Sequence, residues 1–203
     1  MEGLFDQENT WYQLLDMPQA EVYYYPDFLE PNQQKKLFDH LKKQVNWQQD
    51  NIKVFGKIYA QPRLTALFAD NEKSYTYSSI TMHPALFPTA LLELKQKIEQ
   101  KTKCVFTTCL LNLYRDGQDS NGWHADDEKE LGKNPIIASV SLGAPRFFKF
   151  RDKKNKADTR KILLEPGSLL LMKGSTQHHW QHQVPKTAKQ VGERINLTFR
   201  KID

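Results

Sequence analysis

A chain of 203 residues with 39% apolar and 26% charged side chains is long enough to enclose one full hydrophobic core and too apolar to be disordered. A net charge of +5 makes a polyanion a natural class of partner, because Lys and Arg drive affinity for phosphates. The start, with Glu2 and Asp6, lacks a leader's apolar stretch, and no later segment approaches the roughly 18 apolar residues of a membrane span. We therefore expect no membrane partner, nothing cleaved, and a cytoplasmic location, or a nuclear one if the source is eukaryotic.

In chain order, the first pattern is Pro31 to Val45, where Leu37, Phe38, Leu41 and Val45 recur at helical spacing. A second helix is predicted over Pro88 to Lys101, with Leu91, Leu94, Lys95 and Ile98 on one stripe. Beyond residue 102 the pattern changes to short apolar runs: Val105 to Tyr114, Ile136 to Leu142, Arg146 to Phe150, Lys161 to Leu164, Ser168 to Met172 and Arg194 to Phe199. Turn residues such as Asp116-Gly117, Gly143-Ala144-Pro145 and Glu165-Pro166-Gly167 separate them. The expected fold class is mainly β with buttressing helices (α+β), around an open barrel or sandwich of jelly-roll type. No repeat or linker divides the chain, so one domain over 1–203 is expected. Cys104 and Cys109 fall at an odd offset in a predicted strand, which points them to opposite faces and keeps them reduced.

Three separated segments carry chemistry. In Gly122-Trp123-His124-Ala125-Asp126, alternation brings His124 and Asp126 to one face of an extended segment. Downstream, His178-His179-Trp180-Gln181-His182 offers a third ligand, and spacing alone does not choose among His178, His179 and His182. Two histidines and a carboxylate leave adjacent coordination positions open, the arrangement of non-haem Fe(II) oxygenases, although Zn²⁺ accepts the same donors. In Arg194-Ile195-Asn196-Leu197-Thr198-Phe199-Arg200, two arginines, an amide and a hydroxyl share one face. That face is either a solvated edge or the wall of a cleft where Arg grips a carboxylate with both arms of its fork. Asn112 and Tyr114 form a matching polar face.

Taken together, His124-x-Asp126, a distant His and Arg194-x-Asn196-x-Thr198-x-Arg200 resemble the motif set of the AlkB-like Fe(II)/2-oxoglutarate dioxygenases, over essentially the whole second half of the chain. The resemblance implies a double-stranded β-helix core over 103–203, preceded by an extension over 1–102 holding helices and a nucleotide-recognition lid. It selects His182 as the third ligand of Fe(II). It further implies that Arg194, helped by Tyr114, binds the distal carboxylate of 2-oxoglutarate, with Asn112, Asn196, Thr198 and Arg200 completing that site. O₂ is the other cosubstrate, and an N-methyl group is the target, leaving as formaldehyde.

In the first half, Val54-Phe55-Gly56-Lys57, Gln61-Pro62-Arg63 and Tyr75-Thr76-Tyr77-Ser78 resemble the branch of that family that repairs duplex DNA. By that resemblance Phe55 is a wedge that fills the gap of a flipped base, and Tyr75, Tyr77 and Ser78 line its pocket. N1-methyladenine and N3-methylcytosine are cationic, so Glu128, and after it Asp127, would favour them. Arg63 and the basic run with Lys153, Lys154 and Lys156 are candidate phosphate contacts. The expected partner is DNA carrying alkylated bases, or RNA, met by a monomer. The same chemistry on RNA or single-stranded DNA is one alternative. A non-catalytic, zinc-containing nucleic-acid-binding jelly roll is another.

Overall fold

The computed structural model of the chain describes residues 12–54, 56–71, 75–77 and 80–202, with 52–54, 75–77 and 80–82 given by backbone alone. The first half holds β1 (Gln13–Leu14), β2 (Glu21–Tyr25), α1 (Pro31–Gln44), β3 (Asn51–Val54), β4 (Lys57–Ala60), β5 (Leu64–Ala69), β6 (Tyr75–Tyr77), β7 (Ile80–Met82), β8 (Ala85–Leu86) and α2 (Thr89–Thr102). The second half holds β9 (Thr108–Tyr114), β10 (Asn121–His124), β11 (Ile137–Gly143), β12 (Arg146–Asp152), β13 (Thr159–Leu164), β14 (Leu169–Lys173), α3 (Thr176–His179), β15 (Trp180–Val184) and β16 (Arg194–Arg200).

Two sheets make the body. The larger has the order β1-β2-β14-β11-β16-β9-β5-β8, and the smaller β10-β15-β12-β13. β3 pairs with β4, and β6 with β7, in separate hairpins. Pairing is antiparallel except for the short parallel contact of β5 with β8. This is the double-stranded β-helix expected from the sequence, with strands from both halves of the chain in its larger sheet.

Period-2 alternation explains how the sheets stack. Leu111, Leu113, Val140, Leu142, Ile195, Leu197 and Phe199 point outward from the larger sheet and join Leu41 of α1 and Leu91, Leu94 and Ile98 of α2 in one apolar cluster. The alternate residues point inward. There Tyr114, Ile137, Leu170 and Met172 meet Phe148, Phe150, Trp180 and Val184 of the smaller sheet in a second cluster. Both faces of β16 are covered, and all seven of its residues are buried. The solvated-edge alternative is thereby excluded: the polar face of Arg194, Asn196, Thr198 and Arg200 looks into the space between the sheets.

The predicted helices and all six predicted strands are present, within three residues at their ends. Pro31 opens α1 at a position whose N–H has no intrahelical partner, so its missing donor costs nothing. Cys104 corrects one reading: it precedes β9 instead of lying in it, and packs against the same cluster that buries Cys109. Both are free thiols. Among the described residues no helix is long and apolar enough to cross a membrane.

The turn from β11 to β12 is tight, because Gly143 adopts φ +81° and a β-carbon there would lie 2.5 Å from the Glu193 carbonyl and 2.6 Å from the Phe38 ring. Gly143→Ala combines backbone strain with a steric clash against α1, so a loss of about 2 kcal/mol or more is expected. Urea unfolding checks this: the midpoint should fall at unchanged slope. A wild-type midpoint would show that α1 tolerates displacement from the turn.

Candidate metal centre and cosubstrate cleft

β10 and β15 run antiparallel in the smaller sheet, and their register sets His124 directly opposite His182. Cross-strand neighbours stand about 5 Å apart at their β-carbons, and here the two imidazoles meet with centroids 4.2 Å apart. Asp126, just past the end of β10, closes the group: one donor atom from each of His124, Asp126 and His182 lies within 4.8 Å of the others. His178 and His179 lie on α3, and His178 contacts Asn134 at 2.8 Å, so the structure brings His182 alone of the three to the cluster.

Each of the three is oriented by a partner. His124 Nδ1 lies 2.8 Å from the Gly122 carbonyl, which makes Nδ1 the protonated nitrogen and leaves the Nε2 lone pair for a metal. The Asn121 amide approaches that Nε2 at 3.2 Å. Phe148 stacks on His182 at 5.1 Å. Arg200 Nη2 donates to Asp126 Oδ1 at 2.6 Å, and the Asp126 N–H donates to Gln177 Oε1 at 2.9 Å.

These surroundings favour the protonation states a divalent metal needs. Burial pushes His182 down to about 3, with His124 and Arg200 adding to the effect and Asp126 opposing it. Burial likewise lowers His124, against the pull of Asp126. For Asp126, burial acts upward, but Arg200 and the two histidines outweigh it and hold the carboxyl at about 2. The donor set is thus two neutral imidazoles and a carboxylate, which suits Fe(II).

Beside this cluster lies a narrow cleft lined by the three donors together with Asn112, Tyr114, Asn196, Thr198 and Arg200. Ser139 lines it too and accepts from Asn196 Nδ2 at 2.7 Å, while Thr198 donates to Asn196 Oδ1 at 2.9 Å. At the far end of β16, Arg194 is 1% exposed and its guanidinium sits 5.2 Å from the centre of the Tyr114 ring. One arm donates to Ser141 at 2.9 Å, whereas Nε and Nη1 have no hydrogen-bond partner among the described residues. Burial lowers Arg194 to about 10, which leaves it charged at neutral pH. A buried cation with two idle donors is costly unless an anion completes it, and a carboxylate matches the fork.

The remaining predicted site residues are placed less uniformly. Glu128 is half-buried near Asp126, its Oε2 has no hydrogen-bond partner among the described residues, and burial with the Asp126 and Asp127 charges raises its pKa. Arg63 corrects an expectation: it is 4% exposed and donates to Asn112 Oδ1 at 2.7 Å and to the Ser120 carbonyl at 3.2 Å. It braces the cleft wall and is not available to phosphates. Lys154 and Lys156 are exposed at the β12–β13 turn, while Lys153 is tied to Asp127 at 2.7 Å. Tyr75 and Tyr77 are placed by backbone alone, on β6. Phe55 and Ser78 lie outside the described residues. Sequence reading missed Asn121, Ser139, Phe148 and Gln177, none of which belongs to a spaced motif of ligand-type residues.

The fold and this donor set match a known class: the chain belongs to the 2OG-Fe(II) oxygenase superfamily, whose model matches residues 21–200. Within it, the relatives are AlkB-like. The chain is 44% identical over 186 residues to alpha-ketoglutarate-dependent dioxygenase alkB homolog 3 of Bos taurus, covering 87% of this chain and 64% of that protein. It is 41% identical over 192 residues to the Homo sapiens homolog 3, covering 90% and 66%. Against DNA oxidative demethylase ALKBH2 of Mus musculus the identity is 36% over 177 residues, covering 82% and 74%. The chain therefore spans somewhat under two thirds of the length of the homolog 3 proteins, and is more identical to them than to that ALKBH2. The solved structure of OsALKBH1 superposes with a TM-score of 0.66 at 18% identity, over 94% of this chain and 99% of that one, which supports the fold.

The histidine shifts fix a pH dependence. His182, and in the same direction His124, bind protons less readily folded than at their unfolded value near 6.5, so acid drives unfolding. Metal-free protein should lose stability as pH falls from about 6.5, by up to about 1.4 kcal/mol per pH unit for each histidine. Asp126 adds to the loss only below about pH 4, since its pKa is also depressed. Urea midpoints between pH 7 and 4 test this, and a flat profile would contradict the buried neutral imidazoles. Gln177→Leu should leave the Asp126 N–H unpaired, weakening Fe(II) or Mn(II) binding by about tenfold or more in a metal titration.

Proposed function

We propose that the chain is an Fe(II)/2-oxoglutarate-dependent demethylase that repairs N-alkylated nucleic-acid bases. The observation that carries it is a His-Asp-His donor cluster lining a polar cleft, with a buried, half-satisfied Arg194 beside Tyr114 of the same lining. His124, Asp126 and His182 would hold the iron. Arg194, with Tyr114, would hold the distal carboxylate of 2-oxoglutarate, and Asn112, Asn196, Thr198 and Arg200 would border the end nearer the metal. Iron bound there supplies, with O₂, decarboxylation of 2-oxoglutarate to succinate and CO₂ coupled to hydroxylation of an N-methyl group, which then leaves as formaldehyde.

The protein's part is placement and electrostatics. Arg200 fixes the Asp126 carboxylate at 2.6 Å, Phe148 stacks on His182, and the surrounding apolar cluster limits water. Glu128, partly buried beside the donors, would face the positive charge of N1-methyladenine or N3-methylcytosine. Phe55, Tyr75, Tyr77 and Ser78 are proposed for base extrusion and stacking on their sequence motifs. On this reading the segment 1–102 supplies nucleotide recognition and 103–203 the catalytic core. Lys154 and Lys156, exposed at their hairpin tip, would meet phosphates, and Lys153 would join them on leaving Asp127.

One chain holds every donor named, which supports a monomer, acting where DNA is found: the cytoplasm, or the nucleus of a eukaryote. The relatives' names support the chemistry: one is called a DNA oxidative demethylase and the others alpha-ketoglutarate-dependent dioxygenases. A structural zinc would give Arg194 and the polar cleft no purpose.

Incubation with Fe(II), 2-oxoglutarate and oligonucleotides bearing N1-methyladenine, read by mass spectrometry, should show loss of one methyl per lesion. No demethylation of duplex DNA, single-stranded DNA or RNA, together with no 2-oxoglutarate turnover, would overturn the proposal, and the three rates rank the substrates. Replacing Lys153, Lys154 and Lys156 together by Ala should weaken DNA binding and reduce the slope of log affinity against log salt by up to about 3. An unchanged slope removes this hairpin from the footprint.

A further inference from the structure

Arg146, the first residue of β12, is a buried cation whose hydrogen-bond partners are all backbone carbonyls. It is 3% exposed, and it donates to the carbonyls of Asp116 at 3.0 Å, Asp119 at 2.9 Å and Pro185 at 2.7 Å. Its guanidinium lies 5.7 Å from the centre of the Tyr114 ring, the same ring that Arg194 approaches at 5.2 Å. The topology forces this meeting. Arg194 pairs with Tyr114 on one side and Gly143 on the other, and the turn after Gly143 delivers Arg146 next.

Two consequences follow from that placement. The phenol ring has two guanidiniums over it, each of which favours its electron-rich face and so bears on its orientation. No carboxylate hydrogen-bonds either guanidinium among the described residues; Asp119 and Asp116 offset Arg146 in part through charge alone, so two guanidiniums share this end of the cleft in a buried setting where charges are poorly screened. Both arginines are held below their ordinary pKa by burial, and Arg146 is among the causes for Arg194.

We propose that Arg146 is a positioning residue that orients Tyr114 and makes the Arg194 end of the cleft selective for 2-oxo dicarboxylates over 2-oxo monocarboxylates. The inference rests on reading this cleft as the 2-oxoglutarate site. Arg146 reaches the cosubstrate through Tyr114 and through its field. Removing its charge should therefore affect the distal carboxylate and leave the metal end untouched.

The experiment compares wild type with R146Q and R146K, each loaded with Mn(II), by calorimetric titration of 2-oxoglutarate and of 2-oxovalerate, which has the same chain length without the distal carboxylate. R146Q should bind 2-oxoglutarate about tenfold more weakly, 2-oxovalerate within about twofold of wild type, and Mn(II) as wild type does. In steady state the KM for 2-oxoglutarate should rise at nearly constant kcat, the mark of lost binding common to ground and transition states. R146K, keeping the charge without the fork, should fall between.

Equal weakening of both acids, or a loss confined to Mn(II) binding, would make Arg146 a merely structural residue and overturn the inference. Should R146Q fail to fold, R146K decides the matter by the same ratio, and an unchanged preference for the dicarboxylate rejects the proposal. Wild-type protein that binds Mn(II) but no 2-oxoglutarate would instead overturn the cleft reading itself.

Discussion

The ion pair of Arg200 with Asp126, 2.6 Å long and almost wholly buried, is the contact on which the rest of the site depends. It joins the last strand of the larger sheet to the loop beyond β10 of the smaller one, so it spans the two layers at the point where a metal would sit. A buried pair of this kind adds little net stability, because both charges give up their hydration. Its effect lies in position. Without Arg200 the Asp126 carboxylate would be left to the histidines, His182 Nε2 lying 3.6 Å away, while Gln177 holds only its backbone N–H, and a poorly compensated charge in that place is expensive.

That contact exists because β16 is sealed on both faces. Ile195, Leu197 and Phe199 anchor the strand to the helical layer. The alternate residues are committed to the interior by the same period-2 geometry, and a one-residue slip would exchange the two sets completely. Apolar packing against α1 and α2 therefore fixes the register that aims Arg194, Asn196, Thr198 and Arg200 inward. Stability on one side of the strand and chemistry on the other are one constraint.

Much of this architecture is legible in the sequence, and the exceptions have physical reasons. Both helices and the six strands of the second half announce themselves by period and by Gly or Pro at their ends. β10 does not, because Asn121-Gly122 reads as a turn, and it is this strand that carries His124. β15 is hidden behind a histidine cluster whose spacing favours no member; the family resemblance names His182, and cross-strand pairing with β10 gives the physical reason. β5 lacks alternation because it is covered on both faces. Arg63 was misplaced for a related reason: a cation beside a turn is normally solvated, and nothing local in the sequence tells that Asn112, far along the chain, will accept from it.

The buried charges have a pattern of their own. Arg63, Arg146, Arg194 and Arg200 are each at most 4% exposed, whereas the buried carboxylates among the described residues are Asp119 and Asp126. Asp119 is engaged by Arg115, and Asp126 by Arg200. The interior thus holds an excess of positive charge, and part of it lies at the Arg146–Arg194 end, where Asp119 and Asp116 offset Arg146 only in part. A dianionic 2-oxo acid answers that excess, and a divalent cation at the histidines adds to it. Each of the two ligands therefore finds a better field once the other is bound, and by linkage the gain is the same in either order. The same surplus would favour the dicarboxylate, and the dicarboxylate in turn would favour the cation.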